Sequence, residues 1–211
     1  MSTAPTLAGG GGEGALGIAR HKMFAFWGGM WYKSGDMDST YSAKALALAG
    51  ELIAVCRARG VRIGTAESCT GGLIGGALTA VAGASEVFEG GVIAYQNRVK
   101  HQVLGVREGT LARVGAVSAA CAEEMACGAR LALGGIEMGL SATAIAGPGG
   151  GTAEKPVGLV YIGCAVGNAC WVKECRFSGD RAAVRRATVE QILALALACL
   201  AERERNENGQ D

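Results

Sequence analysis

Thr65-Ala66-Glu67-Ser68-Cys69-Thr70-Gly71-Gly72 is the stretch whose reading decides this chain. Upstream, Val61-Arg62-Ile63-Gly64-Thr65-Ala66 reads as a short strand. Downstream, the small and apolar run from Leu73 to Val81 reads as a helix. Ser68 therefore falls at the seam between the two. A hydroxyl there stands beside helix N–H groups that lack intrahelical partners and attract anions and developing oxyanions. The two glycines let the backbone approach a ligand closely. Such a turn suits a serine nucleophile with a built-in oxyanion hole. It equally suits a plain structural role, with Ser68 or Thr70 capping the next helix.

Working outward, the first helical pattern runs from about Tyr41 to Arg59, with Leu46, Leu48, Leu52, Ile53 and Val55 as apolar positions. After the Ser68 turn the second helix ends near Gly83. Gly90 to Tyr95 reads as a strand, and Asn97 as the cap of a helix from Arg98 to Leu104. Ser118 opens a long helix to about Leu133, and Leu140 to Ala146 is a strand. Val157 to Val166 and Ala169 to Phe177 are β-rich runs separated by Gly167-Asn168, the signature of an antiparallel hairpin. Ser178-Gly179-Asp180 opens a last helix from Arg181 to about Glu202. This order predicts an α/β fold, a three-layer α/β/α sandwich with a mixed sheet.

A chain of 211 residues with 50% apolar and 18% charged residues is long enough for one domain with a real core. A net charge of +1 favours neither nucleic acid nor an anionic membrane as partner. The eight cysteines form no CxxC pair, and several fall within apolar helical patterns, as buried small hydrophobes do. A reducing, cytoplasmic setting fits them. Residues 1–36 differ from the rest, with a glycine tract and an interrupted aromatic cluster from Phe24 to Tyr32. They are expected to be a poorly ordered extension, too short and broken to span a membrane. Residues 37–203 form the expected domain, and the charged residues 204–211 a frayed tail.

Ligands in open α/β sheets favour the carboxyl ends of strands, where Ser68 to Gly72, Tyr95 to Lys100 and Gly147 to Lys155 should gather. Lys100 is expected in the first turn of its helix. The macrodipole opposes a cation there by only ~0.3–1 kcal/mol, less than one pKa unit, so a lysine base at neutral pH requires burial. Only His21 and His101 are present, so a His-based metal site is disfavoured. A triad would have to combine Ser68, His101 and Asp180, and His101 points around the helix from Lys100. Lysine, with Tyr95 as a second candidate, is the more natural partner for Ser68. The Gly147-Pro148-Gly149-Gly150-Gly151 loop can form an anion nest, and Arg181 at a helix start can clamp an anion.

Taken together, these segments resemble the C-terminal domain of the CinA family, the nicotinamide-nucleotide amidohydrolases. The matching stretches are TAESCTGG at 65–72, GGVIAYQNRVKHQVLGV at 90–106, GAVS at 115–118, AGPGGGTAEKPVGLVYIG at 146–163 and FSGDRAAVRRAT at 177–188. The resemblance implies hydrolysis of the carboxamide of nicotinamide mononucleotide to nicotinate mononucleotide and ammonia, in NAD salvage. It also implies an α/β/α fold, no metal or other cofactor, and homo-oligomers. Carried over, Ser68 looks like the nucleophile and Lys100 and Tyr95 like its activating partners. Cys69, Thr70, Gly71, Gly72, Gly147, Gly149, Gly150 and Arg181 look like substrate contacts. Two alternatives stay open: a non-catalytic nucleotide-binding or assembly module, and a Cys69 thiol amidase, which lacks a well-placed histidine.

Overall fold

The structure, a computed structural model, describes residues 24–27, 30–33 and 40–208. The chain divides into two units, residues 1–39 and 40–211. In the first, strands β1 (Phe24–Trp27) and β2 (Met30–Lys33) pair antiparallel, from Phe24 opposite Lys33 to Trp27 opposite Met30. The expectation for the rest of residues 1–36 lies outside the described residues.

The second unit opens with helix α1 (Ala43–Arg59), capped by Ser42 Oγ, which accepts the Ala45 N–H at 3.0 Å. Gly60 ends it in the left-handed conformation, φ 63°. Then follow β3 (Ile63–Glu67), α2 (Leu73–Thr79), a 3-10 turn at Ala84–Glu86 and β4 (Phe88–Ile93). Helices α3 (Asn97–Leu104), α4 (Glu108–Arg113) and α5 (Ala119–Ala132) precede β5 (Met138–Ala144). The hairpin β6 (Leu159–Val166) and β7 (Ala169–Arg176) leads into α6 (Arg181–Asn208).

Two expectations need correction, and one helix is not among the expected elements. Helix α3 begins at Asn97, and its cap position, Gln96, makes no side-chain bond, so Asn97 is not the cap. Helix α4 carries only six residues, too short for a clear apolar period in the sequence. Helix α6 runs beyond Glu202 and takes in the charged tail as far as Asn208. Its last turns are supported by an ion pair between Arg59 and Glu204, 2.5 Å apart.

The sheet has the order β4-β3-β5-β6-β7. β3 pairs parallel with β4 and β5, while β6 and β7 are added antiparallel. Side chains alternate across it. Ile63, Met138, Leu140, Val160 and Ile162 pack into a large core together with α1, α2 and α6 residues such as Leu52, Leu78 and Ile192. Ala66 belongs to a smaller core on the other face, with Leu104, Met125 and Ala129 of α3 and α5. The three-layer arrangement expected from the element order is thus the one present. The α5 side of the sheet is lined by small residues. Ser141 Oγ donates to Ala122 O at 2.6 Å, and a Cβ on Gly163 would lie 2.8 Å from the same carbonyl. Helix α5 therefore rests almost on the backbone of the central strands.

Candidate active site

The period-2 alternation of β3 assigns neighbouring residues to opposite sides. Glu67 turns toward α2. Ser68, one residue later, turns toward α3. Both are buried.

Glu67 is the residue that the sequence reading missed. One carboxylate oxygen accepts from Gly72 N at 2.8 Å and Ile74 N at 3.1 Å, and the other from Gly75 N at 2.8 Å. These are the α2 N-terminal donors expected to face a ligand. They are not available, because an internal carboxylate already occupies the position an anion would take. Neither Ser68 nor Thr70 caps the helix. Its cap position is Gly72, at φ 98°, with no side-chain bond. The acidic residue inside the 65–72 stretch was the available signal.

Ser68 donates its backbone N–H to Ala142 O at 3.0 Å, which ties the turn to β5. Its Oγ meets Lys100 Nζ at 3.1 Å. Lys100 is only 1% exposed and is among the largest fully buried side chains of the chain. Its Nζ also donates to Ala94 O at 2.7 Å and Tyr95 O at 3.0 Å. Those two carbonyls take two N–H groups in either protonation state. The third position faces Ser68 Oγ, where a neutral amine presents its lone pair to the serine O–H. Among the described residues no carboxylate forms an ion pair with Lys100. Burial holds its pKa below the ordinary lysine value. Burial acts in the opposite direction on Cys69, whose thiol is pushed up to about 12 and is protonated at neutral pH. That leaves it a poor nucleophile.

A cavity of about 200 Å³ opens onto the pair. Besides Ser68 and Lys100, its walls include Cys69, Tyr95, Asn97, Thr143 and Arg181. Tyr95 is 56% exposed. Its hydroxyl accepts from Arg181 Nη2 at 3.2 Å, and its contribution to Lys100 is the backbone carbonyl. Arg181 also donates Nη1 to Gly147 O at 3.0 Å, so the Gly147 loop positions the guanidinium at the cavity. Gly149 and Gly150 are exposed and do not line the cavity, and Thr70, Gly71 and Gly72 shape the turn beneath it. Among the described residues, Thr70 Oγ1 is the one buried side-chain oxygen or nitrogen without a hydrogen-bond partner.

Two further cations fix the walls. Arg185 Nε donates to Cys69 O at 3.0 Å and its Nη2 to Thr70 O at 2.8 Å. Arg185 lies four residues beyond Arg181 on the same helix, the spacing that brings side chains onto one face. Lys155 Nζ donates to Val114 O at 2.5 Å and Val117 O at 2.7 Å, and Thr143 Oγ1 donates to Ala116 O at 2.8 Å. These bonds pin the 114–117 loop, whose Ala116 and Val117 close the cavity on another side. Among the described residues no group of three or more His, Cys, Asp or Glu side chains is placed to hold a metal. None of their helices is long and apolar enough to cross a membrane. All eight cysteines are unpaired.

Residues 45–200 match the family model of the CinA C-terminal domain. A CinA-like protein of Cyanothece sp. is 53% identical over 141 residues, 67% of this chain and 34% of that protein. A CinA-like protein of Dictyoglomus turgidum is 47% identical over 148 residues, 70% of this chain and 36% of that protein. The chain thus spans about a third of the length of these curated relatives. The crystal structure of a competence/damage inducible protein from Agrobacterium tumefaciens superposes with a TM-score of 0.73 at 41% identity, covering 75% of this chain and 96% of that one. A CinA superfamily protein of Escherichia coli superposes with a TM-score of 0.70 at 30% identity, covering 72% and 88%. The matched segment begins within α1 and ends within α6, so it takes in the whole sheet, both helical layers and every wall of the cavity; the chain belongs to the CinA C-terminal domain family.

Proposed function

We propose that this domain is an amidase that hydrolyses the carboxamide of nicotinamide mononucleotide to nicotinate mononucleotide and ammonia. The observation that carries the chemistry is the contact between Ser68 Oγ and the buried, charge-unpaired Lys100 Nζ at 3.1 Å. Neutral Lys100 takes the Ser68 proton as Oγ attacks the carboxamide carbon. The same proton passes to the departing nitrogen, the C–N bond breaks, and ammonia leaves an ester on Ser68. Water then attacks that ester, giving its proton to Lys100, which returns it to Ser68 Oγ as the bond between Oγ and the acyl carbon breaks and the carboxylate is released. The raised thiol pKa of Cys69 favours serine over cysteine as the nucleophile.

The substrate class rests on the family resemblance, supported by the cavity mouth. A carboxamide offers little binding surface, so a remote anion helps to hold it for attack. Arg181 is the cation at the cavity wall that can meet such an anion, giving up its Tyr95 bond to do so. The test is ammonia release by the purified protein from nicotinamide mononucleotide, from its dephosphorylated riboside and from free nicotinamide. The mononucleotide should be turned over with the highest kcat/KM, and Arg181→Lys should narrow its advantage over the riboside. Equal values for mononucleotide and riboside would remove the phosphate anchor. No release from any of them, with the protein folded, would remove the amidase reading.

A further inference from the structure

The α2 donors are held by Glu67, so a serine nucleophile at position 68 needs another place for the charge of its tetrahedral intermediate. Arg185 indicates where. It reaches from α6 to two consecutive carbonyls of the nucleophile turn, Cys69 O and Thr70 O. In a planar trans peptide the N–H points opposite to the carbonyl. Fixing those two carbonyls toward α6 therefore turns the N–H groups of Thr70 and Gly71 away from it. Helix α6 packs on one face of the sheet, while Ser68 Oγ and Lys100 lie on the α3 side. Cys69, whose carbonyl belongs to the same peptide as the Thr70 N–H, lines the cavity. Among the described residues no carbonyl or carboxylate accepts from the N–H of Thr70 or Gly71. Gly71 and Gly72, at φ 60° and 98°, let the turn take a backbone that residues with side chains rarely adopt.

We infer that the backbone N–H groups of Thr70 and Gly71 form the oxyanion site of the Ser68 reaction, and that Arg185 is the positioning residue that aims them. The inference rests on the serine-nucleophile reading and adds a residue and a site to it. Arg185 touches no reacting atom. It acts through the two peptides whose carbonyls it holds, and its charge draws electron density toward those oxygens, making the N–H groups stronger donors.

The experiment compares Arg185→Met and Arg185→Lys with Arg186→Met, the exposed neighbour, as control. Three readouts are taken: kcat for ammonia release, substrate affinity measured in a Ser68→Ala background, and the rate at which a fluorophosphonate modifies Ser68, followed by intact mass. Arg185→Met should lower kcat by about 10–10³-fold and slow phosphonylation comparably, while substrate affinity stays within about threefold, the pattern of a lost transition-state contact. Arg185→Lys, with one donor group in place of the fork, should fall between. Unchanged kcat and labelling in Arg185→Met would overturn the inference. So would a kcat loss matched by lost affinity, or loss of the fold in both variants, since either assigns Arg185 to scaffolding alone. A wild-type protein that hydrolyses none of the amides, yet is phosphonylated on Ser68 at an Arg185-dependent rate, would fail the amidase reading and keep the oxyanion site.

Discussion

Lys100 Nζ stands 3.1 Å from Ser68 Oγ although 32 residues separate them. The parallel pairing of β3 with β4 accounts for this. Glu67 lies opposite Ile93, and Ala94 N donates to Glu67 O at 2.8 Å, so the chain leaves both strands side by side. Helix α3 then turns back and delivers Lys100 under the carbonyls of Ala94 and Tyr95.

Removing either member of that contact should stop turnover. Lys100→Met is expected to lower kcat for ammonia release by about 10²–10⁴-fold, the usual worth of a positioned general base. Lys100→Arg should not restore it, because a guanidinium stays protonated. Ser68→Ala should lose at least as much, at a stability change of about 0.5–1.5 kcal/mol. Cys69→Ala that loses activity while Ser68→Ala keeps it would reverse the assignment of the nucleophile.

The depressed pKa of Lys100 gives two pH dependences of defined sign. Only the neutral amine accepts the serine proton, so kcat/KM should rise with pH, with a midpoint below the ordinary lysine value of 10.5. Between the folded and unfolded pKa values the unfolded chain binds more protons, so stability rises with pH across that window. The burial penalty is complete below the folded pKa and gone above the unfolded one. Denaturation midpoints taken across the window should therefore climb in the wild type and lose that component in Lys100→Met. Identical slopes for the two proteins would show that Lys100 titrates normally.

Thr70 predicts a gain in stability. Its fully buried hydroxyl has no partner, and burying such a group costs about 1–3 kcal/mol. Thr70→Val should therefore raise stability by about 1 kcal/mol, read by urea denaturation. A clear loss of stability would mean that the hydroxyl is already satisfied.

Glu67→Gln should act mainly on the fold. The carboxylate accepts three backbone N–H groups, and an amide would set a donor against one of them. The expected loss is about 1.5–3 kcal/mol, visible as a lower melting temperature. Ser68 follows directly in the chain, so kcat should fall as well. An unchanged melting temperature would show that α2 does not depend on this carboxylate.

The sequence by itself determined most of the elements, the six-residue α4 excepted, and their layering. Hydrophobic periodicity, the Ser118 cap and the Gly167-Asn168 turn are local signals. They were enough for the α/β/α order, the long α5 and the β6–β7 hairpin. The 65–72 stretch pointed to Ser68 because a hydroxyl between strand and helix can be recognised from neighbours alone. Lys100 could be nominated but not weighed, since its chemistry depends on burial by residues distant in the chain. Tertiary structure decided the remainder. Whether the α2 N–H groups face a ligand or an internal carboxylate depends on which side of the sheet Glu67 turns to. Whether the glycine loop at 147–151 lines the cavity or only backs Arg181 depends on how α6 docks. Arg185 gains its position because α6 crosses beneath a turn more than 100 residues earlier, at |i−j| of 116 and 115 for its two bonds. Local pattern carries no record of such a contact. It arises only when the apolar faces of distant helices are buried against one sheet.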